Sequence, residues 1–251
     1  MGTQQRKYWN VLLIGDSCND VYHHGECKRI SPEAPVPVFS ESHVIVKPGM
    51  SSNVRENLSS LGMNVVHVTN DVTIEKHRFI DSSYGQQVFR YDSGDMEKID
   101  ECRLTELDKY SAGDFDCIVI SDYNKGFVGK CLVEHIRNRF SGIPFFVDTK
   151  KSDLRMYDGC YVKINDKEYN LLSNKPKNCK FIITLGPEGA MYKGDVYSAE
   201  KVDVFDVVGA GDVFLSGLVY GFMIDGKIES AIKIANKLAS TSVTKRGTYV
   251  V

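Results

Sequence analysis

The sequence predicts an α/β fold with a mainly parallel sheet covered on both faces. Short apolar runs alternate along the chain with stretches of helical period. The runs are continuously apolar, as strands buried on both faces are. A third observation adds a second component. Two stretches alternate apolar and polar residues and fit no βα rhythm, so a small β sheet is expected outside the main one.

Strands are predicted at Asn10–Gly15 (NVLLIG), Asp116–Ser121 (DCIVIS), Ile143–Asp148 (IPFFVD) and Lys180–Leu185 (KFIITL). Each is rich in Ile, Val or Phe and bounded by Gly, Asp or Pro. The period predicts helices over Ser51–Leu61 with Gly62 as its stop, over Gly126–Phe140 and over Gly211–Met223. From Ile228, the positions Ala231, Ile232, Ala235, Leu238 and Ala239 form the stripe of a helix lying on a sheet. The first irregular stretch, Val21–Val46, carries Pro32, Pro35 and Pro37 ahead of VPVFSESHVIV. The second, Thr73–Asp92, alternates around a predicted hairpin turn at Ser82–Gly85. Both read as exposed antiparallel strands, a small lid from about 21–46 and 73–92. No linker, repeat or charge block divides the chain, so 1–251 reads as one domain.

Composition narrows the function classes. The 251 residues are 42% apolar and 25% charged, which is ordinary globular usage and enough for a core without disulfide or metal staples. A balance of 31 Lys+Arg against 33 Asp+Glu argues against a nucleic-acid partner. The seven cysteines form no CxxC pair and read as reduced thiols of a cytoplasmic protein. The opening MGTQQRKYWN lacks the apolar core of a signal peptide, and Arg6 breaks the myristoylation pattern begun by Gly2. No apolar run approaches the ~20 residues that span a bilayer, so no membrane partner is expected.

The sharpest local feature is FDVVGAGD, Phe205–Asp212, running straight into an apolar helix. Glycines at a helix start let backbone N–H groups converge on an anion, and the helix dipole adds to the attraction. Asp212 stands in the first turn beside them. An anion cradle next to a carboxylate is what phosphoryl transfer to a hydroxyl requires: the carboxylate takes the proton and the N–H groups stabilise the moving charge. A plain glycine turn with Asp212 near an N-cap has the same local pattern. A P-loop kinase is disfavoured, because no GxxxxGK[ST] run occurs.

FDVVGAGD resembles the DTxGAGD signature of the ribokinase-like (PfkB) carbohydrate kinases. Further segments resemble that family in the same order: VLLIGDSCNDVY its opening strand, PGMSSNVRENLSSLG its PGGxxxNxAxxLxxLG helix, INDKE its NxxE motif and TLGPEGA its TxGxxG loop. The likeness is tighter to one branch, the D-glycero-β-D-manno-heptose 7-phosphate kinases. KRISPEAPVPV at 28–38, SDYNKG at 121–126 and VDTKKS at 147–152 are similar to that branch's SRISPEAPVPV, SDYAKG and DPKG segments. The resemblance implies a ribokinase-like three-layer α/β/α fold with a small β-sheet lid. It implies ATP-dependent phosphorylation of the anomeric hydroxyl of a heptose 7-phosphate, a step toward ADP-heptose and lipopolysaccharide or another surface glycan.

The site residues carry over by motif. The resemblance implies Asp212 as catalytic base and Gly209, Ala210 and Gly211 as the anion hole. Asp16, Asp20, Gly49 and Asn53 would contact the sugar. Asn165 and Glu168 would organise Mg²⁺ through hard oxygens, and Thr184, Gly186, Gly189 and Asn236 would border ATP. A phosphorylated acceptor needs cations, and Arg29, Lys76, Arg78 and Lys150 are the candidates; Asp122 and Lys125 belong to the SDYNKG element beside them. Each of these side chains has a bland alternative as a strand-end turn, a helix cap or a solvated surface charge. Family members often dimerise through their lids, so the resemblance implies a homodimer covering the exposed edges.

Several features depart from the family pattern. Met50 stands where a second glycine is usual at the lid hinge. Val207–Val208 replace a common Thr whose hydroxyl supports a monovalent-cation site. The stretch from Asn70 to Thr73 is too short for the usual helix-containing segment, and Glu168 to Phe181 is too brief for a peripheral helix on the nucleotide side. The chain stops at Val251 without the usual terminal helix. These trims keep two alternatives open: a kinase for another phosphosugar or nucleoside, and a non-catalytic descendant that binds sugar or nucleotide.

Overall fold

The computed structural model describes residues 8–97, 99–245, 247 and 250–251; Gly2 and Arg6 lie outside them. In chain order the strands and helices are β1 (Asn10–Gly15), β2 (Ser17–Ile30), β3 (Pro37–Met50), α1 (Ser51–Ser60), β4 (Asn64–Thr69), β5 (Glu75–Asp81) and β6 (Gln86–Ser93). They continue with β7 (Cys117–Asp122), α2 (Lys130–Arg139), β8 (Phe145–Thr149), β9 (Tyr161–Asn165), α3 (Asp166–Asn170), β10 (Lys180–Thr184), β11 (Ala190–Tyr192), β12 (Asp195–Tyr197), α4 (Ala210–Asp225) and α5 (Ile228–Ser242).

The main sheet has eight strands in the order β12-β11-β10-β9-β8-β7-β1-β4. Pairing is parallel from β4 across to β10, and the β11 and β12 edge is antiparallel. Leu12, Ile14, Ile118 and Ile120 point into one apolar cluster with Leu132, Val133 and Ile136 of α2. Val11, Leu13, Cys117 and Val119 point the other way, against Val54 and Leu58 of α1, Leu215 and Leu218 of α4, and Ala231 and Ile232 of α5. Continuous apolar strands therefore feed two cores, and the three-layer α/β/α reading holds. The α4–α5 contact is close because Gly217 and Gly221 face Ala235 and Ala231. A Cβ at those glycines would lie 2.9 and 2.7 Å from the facing Cα atoms.

Differences from the predicted elements have local causes. Strands β4 and β9 were not predicted, since His67 and Lys163 interrupt their apolar runs. Helix α2 begins at Lys130 because residues 126–129 form a turn, with Gly126 at φ 116°. Helix α4 extends to Asp225 and closes on Gly226, in the left-handed conformation of a C-terminal cap. The stretches 70–74 and 171–179 hold no helix, as expected.

The second sheet has four strands in the order β3-β2-β5-β6. Its outer pairs are antiparallel, but the central pair β2–β5 is parallel, which corrects the all-antiparallel expectation. The cause is connectivity: α1 and β4 lie between β2 and β5 and return the chain in the same direction. Only Asp16 separates β1 from β2, and β3 runs directly into α1. At that second junction Met50 has φ 53° and ψ −131°, a conformation that favours glycine.

Candidate active site

The chain enters α4 through Gly209 in the left-handed region (φ 78°), and the N–H groups of Asp212 and Val213 both bond its carbonyl at 3.0 Å. A Cβ on Gly211 would lie 2.8 Å from Lys163 Nζ, so glycine there lets an ammonium sit against the helix start. Asp212 is 4% exposed. Its Oδ2 accepts from Asn53 Nδ2 at 2.9 Å and its Oδ1 from the Tyr123 hydroxyl at 2.8 Å. Burial pushes the Asp212 carboxyl up to about 6; nearby Asp148 adds to the rise, while Asn53, Tyr123 and Lys163 oppose it. That suits a general base near neutral pH. Burial and Asp212 push the Tyr123 phenol well above its ordinary range, which keeps it a donor.

Beside Asp212 runs a chain of ion pairs. Lys163 Nζ bonds Asp148 Oδ2 at 2.6 Å, and both side chains are buried. Lys150 Nζ lies 4.0 Å from Asp148 Oδ1 and 2.6 Å from Glu168 Oε1. Asp148 Oδ1 is buried with no hydrogen-bond partner among the described residues. Asn165 and Glu168 make a reciprocal capping box at the start of α3: Glu168 N donates to Asn165 Oδ1 at 2.8 Å and Asn165 N to Glu168 Oε2 at 3.2 Å.

The small sheet brings cations to the same place. Arg78 Nη1 bonds Asp20 Oδ1 at 2.5 Å, and its guanidinium lies 5.4 Å from the Tyr22 ring centre. A Cβ on Gly49 would lie 2.5 Å from Asp20 Oδ2, so glycine is required beside this pair. Lys76 and Lys150 lie over the Tyr123 ring at 5.5 and 5.7 Å. Asp212, Gly209–Gly211, Asn53, Gly49, Asp20, Lys76, Arg78, Lys150, Asn165 and Glu168 thus gather around the start of α4.

Other predicted residues have different work. Asp16 is fully buried and accepts the N–H groups of Tyr123, Lys125 and Phe127 at 2.8, 3.3 and 3.4 Å, so it ties down a loop instead of facing a sugar. Asp122, 1% exposed, is taken up by Thr149, Lys151, Tyr157 and Asn124 N. The Lys125 ammonium is committed to Asp95 at 2.6 Å. Arg29 is exposed near the far end of β2, nine residues past Asp20, or about 30 Å at roughly 3.3 Å per residue; the chain does not bring it to its own site.

On the other side, Gly186 (φ 60°) and Gly189 (φ 102°) shape the turn from β10 to β11. A Cβ on Gly189 would meet the Tyr197 carbonyl at 2.1 Å. Asn236 Nδ2 donates to that same carbonyl at 2.7 Å, and Thr184 Oγ1 bonds the Ile164 carbonyl at 3.4 Å. Just past this segment is a cleft of about 680 Å³ lined by Lys201, Val202, Asp203, Val204, Phe205 and Thr244.

Sequence reasoning passed over Tyr123, Asp148, Lys163 and the cleft residues. Tyr123 and Asp148 lie inside segments already noticed, SDYNKG and VDTKKS, beside the charges singled out there. Lys163 carried one signal, a lysine inside an otherwise apolar strand.

A buried carboxyl group stands at a glycine-entered helix start, with cations from a second sheet, on a ribokinase-like fold. Solved structures agree on the fold. Phosphofructokinase-2 from Escherichia coli in complex with potassium matches with TM-score 0.73 and 16% identity, over 98% of this chain and 95% of that one. Ribokinase from Thermotoga maritima matches with TM-score 0.66 and 17% identity, over 96% and 95%. The chain belongs to the pfkB family of carbohydrate kinases, whose model matches residues 47–251. Enzymes of this family are phosphotransferases acting on a sugar hydroxyl. Among curated relatives, the bifunctional protein HldE of Sulfurimonas denitrificans is 32% identical over 297 residues, covering 96% of this chain and 62% of that protein. The HldE of Campylobacter jejuni serotype O:2 is 29% identical over 289 residues, covering 96% and 62%. The chain thus spans about three-fifths of these relatives. The alignments run to 297 and 289 positions against 251 residues, so the relatives carry stretches absent here. Among the described residues, no helix is long and apolar enough to cross a membrane.

Proposed function

We propose that residues 1–251 act as one kinase unit that transfers the γ-phosphoryl of ATP to the anomeric hydroxyl of D-glycero-D-manno-heptose 7-phosphate, giving the 1,7-bisphosphate. The observation that carries this reading is the buried Asp212 carboxylate, held beside the helix start by Asn53 and Tyr123, with the Lys76 and Lys150 cations over the Tyr123 ring and Arg78 paired with Asp20 on the small sheet. Asp212 takes the proton of the attacking hydroxyl. The sugar oxygen then bonds to phosphorus as the bond to the β-phosphate bridging oxygen breaks, and ADP leaves. The Gly209–Gly211 backbone and Lys163 face the charge that develops on the phosphoryl oxygens. Asp20 suits sugar hydroxyls, and the cation group suits the 7-phosphate.

The donor set fits Mg²⁺. Asp148 Oδ1 is an orphaned buried carboxylate oxygen, and Asn165 and Glu168, at the start of α3 just past Lys163, add hard oxygens. Among the described residues, no group of three or more His, Cys, Asp or Glu forms a metal cage; Mg²⁺ keeps most of its waters and needs none. Bound there, it would neutralise phosphate charge. The adenosine moiety fits the cleft at Lys201–Phe205, beyond Gly189 and Asn236. In this reading the four-stranded sheet is a lid, the protein works in the cytoplasm on a surface-glycan precursor, and two copies pair through their lids. A monomer by light scattering at micromolar concentration would count against the pairing.

The test is incubation with ATP, Mg²⁺ and heptose 7-phosphate, with fructose 6-phosphate, ribose and a nucleoside in parallel. The expected product is the 1,7-bisphosphate, with strong preference for the 7-phosphate. Turnover of another acceptor alone would overturn the substrate. No turnover of any, with ATP binding by calorimetry unchanged in Asp212→Asn, would overturn the kinase reading.

A further inference from the structure

Tyr123 is fixed at three points. Its backbone N–H is held by the buried Asp16 carboxylate, which also grips the N–H groups of Lys125 and Phe127. The next residue, Asn124, takes the left-handed conformation (φ 59°), which turns the loop sharply while Asp122 points inward. The Lys76 and Lys150 ammonium groups lie over the Tyr123 ring, 5.5 and 5.7 Å from its centre. Its hydroxyl reaches the Asp212 carboxylate at 2.8 Å. With Asn53 on the other oxygen, both Asp212 oxygens are set in one plane, each keeping a lone pair. The ring packs against the apolar cluster on one side, but packing alone would not also bring two ammonium groups and a carboxylate to it.

We propose that Tyr123 is the positioning residue of this site: its hydroxyl aims the Asp212 carboxylate, and its ring spaces the base from the Lys76 and Lys150 cations. One rigid side chain that bonds the base through its hydroxyl and holds the cations over its ring fixes their separation, which makes the residue specificity-determining: it favours acceptors whose anionic group lies a set distance from the reacting hydroxyl. This inference rests on the phosphotransfer reading above. The charged and titratable groups around the Tyr123–Asp212 pair are Asp148 on β8, Lys150 after it, Lys163 on β9, Cys18 on β2 and Lys76 on β5.

Two variants separate hydroxyl from ring. Tyr123→Phe keeps the ring. It is expected to lower kcat about tenfold, to leave the acceptor KM within about twofold, and to move the acid limb of kcat/KM to higher pH, because a donor that favours the ionised carboxylate is lost. Tyr123→Ala is expected also to raise the KM of the phosphorylated acceptor by about tenfold, with the KM for ATP unchanged. Wild-type kcat and acid limb in Tyr123→Phe would overturn the proposal, as would a loss that falls on the KM for ATP. A second readout does not need activity: urea midpoints of Tyr123→Phe, Asp212→Asn and the double variant. Non-additive shifts are expected for a bonded pair, and additive shifts would overturn it. If the wild type phosphorylates no sugar, the kinase reading fails while this cycle still decides the pair.

Discussion

Asp20, Asn53, Arg78 and Asp212 are 4, 0, 8 and 4% exposed and bonded to one another in pairs, whereas Val204, Phe205 and Val207 across the helix start are 57, 61 and 68% exposed. The first group lies on the proposed acceptor side, the second on the proposed nucleotide side. A hydroxylated, charged acceptor must meet donors and acceptors already stripped of water and fixed, since reorganising them during the reaction would raise the barrier. On the proposed nucleotide side the cleft mixes apolar Val202, Val204 and Phe205 with Lys201, Asp203 and Thr244, and the backbone is shaped by Gly186 and Gly189, so a bound purine would depend on shape more than on fixed polar partners. Substitutions should therefore damage stability and chemistry together on one side, and binding alone on the other.

The largest contrast is expected at Asp212. Asp212→Asn should reduce kcat by about a thousandfold or more. The same change should stabilise the fold at pH 8, by on the order of 2–3 kcal/mol, because burial holds the folded carboxyl near 6 against an ordinary 3.8. The sign follows from linkage. The wild type gains stability as pH falls through about 6, so the advantage of the variant should shrink and vanish below about pH 4. Wild-type kcat/KM should fall as pH drops through about 6. Thermal midpoints across pH check both signs; a variant that is less stable at pH 8 would break the comparison.

Next comes Arg78→Ala, which strands the buried Asp20 carboxylate. A loss of about 3 kcal/mol in unfolding free energy is expected, with the acceptor KM raised by at least tenfold. Phe205→Ala should do the opposite: a several-fold rise in the KM for ATP, with stability changed by less than about 1 kcal/mol. Equal damage from the two variants would erase the distinction between the sides.

The smallest effect is at the junction of β3 and α1. Met50→Ala removes a buried side chain and keeps the Cβ that its φ of 53° disfavours, while Met50→Gly removes both. The glycine variant should be the more stable of the two by about 1 kcal/mol, measured by denaturant unfolding.

The sequence made some of this legible and hid the rest. Asp212 and its glycines are contiguous, so the pattern alone offered an anion cradle beside a carboxylate, with a plain glycine turn as the alternative. Asp16 and Asp122 look alike in sequence, each an acid closing an apolar strand. Their inward orientation depends on partners such as Tyr123 and Tyr157, 107 and 35 residues away. Lys163 sits where a strand residue is ordinarily apolar, and only its pairing with Asp148 explains it. The parallel β2–β5 pair was hidden for the same reason, because register across a crossover is set by tertiary packing.

Asp16 is the single residue between β1 of one sheet and β2 of the other, and it is also the anchor of the loop that carries Tyr123. Pivot and floor are thus one knot. A swing of the small sheet about that pivot would pull on three hydrogen bonds at once and be felt by the phenol that holds Asp212. Mechanically, the arrangement is a bell crank: force applied at the tip of a 14-residue strand arrives, turned through a corner, at the oxygen atom of one carboxylate.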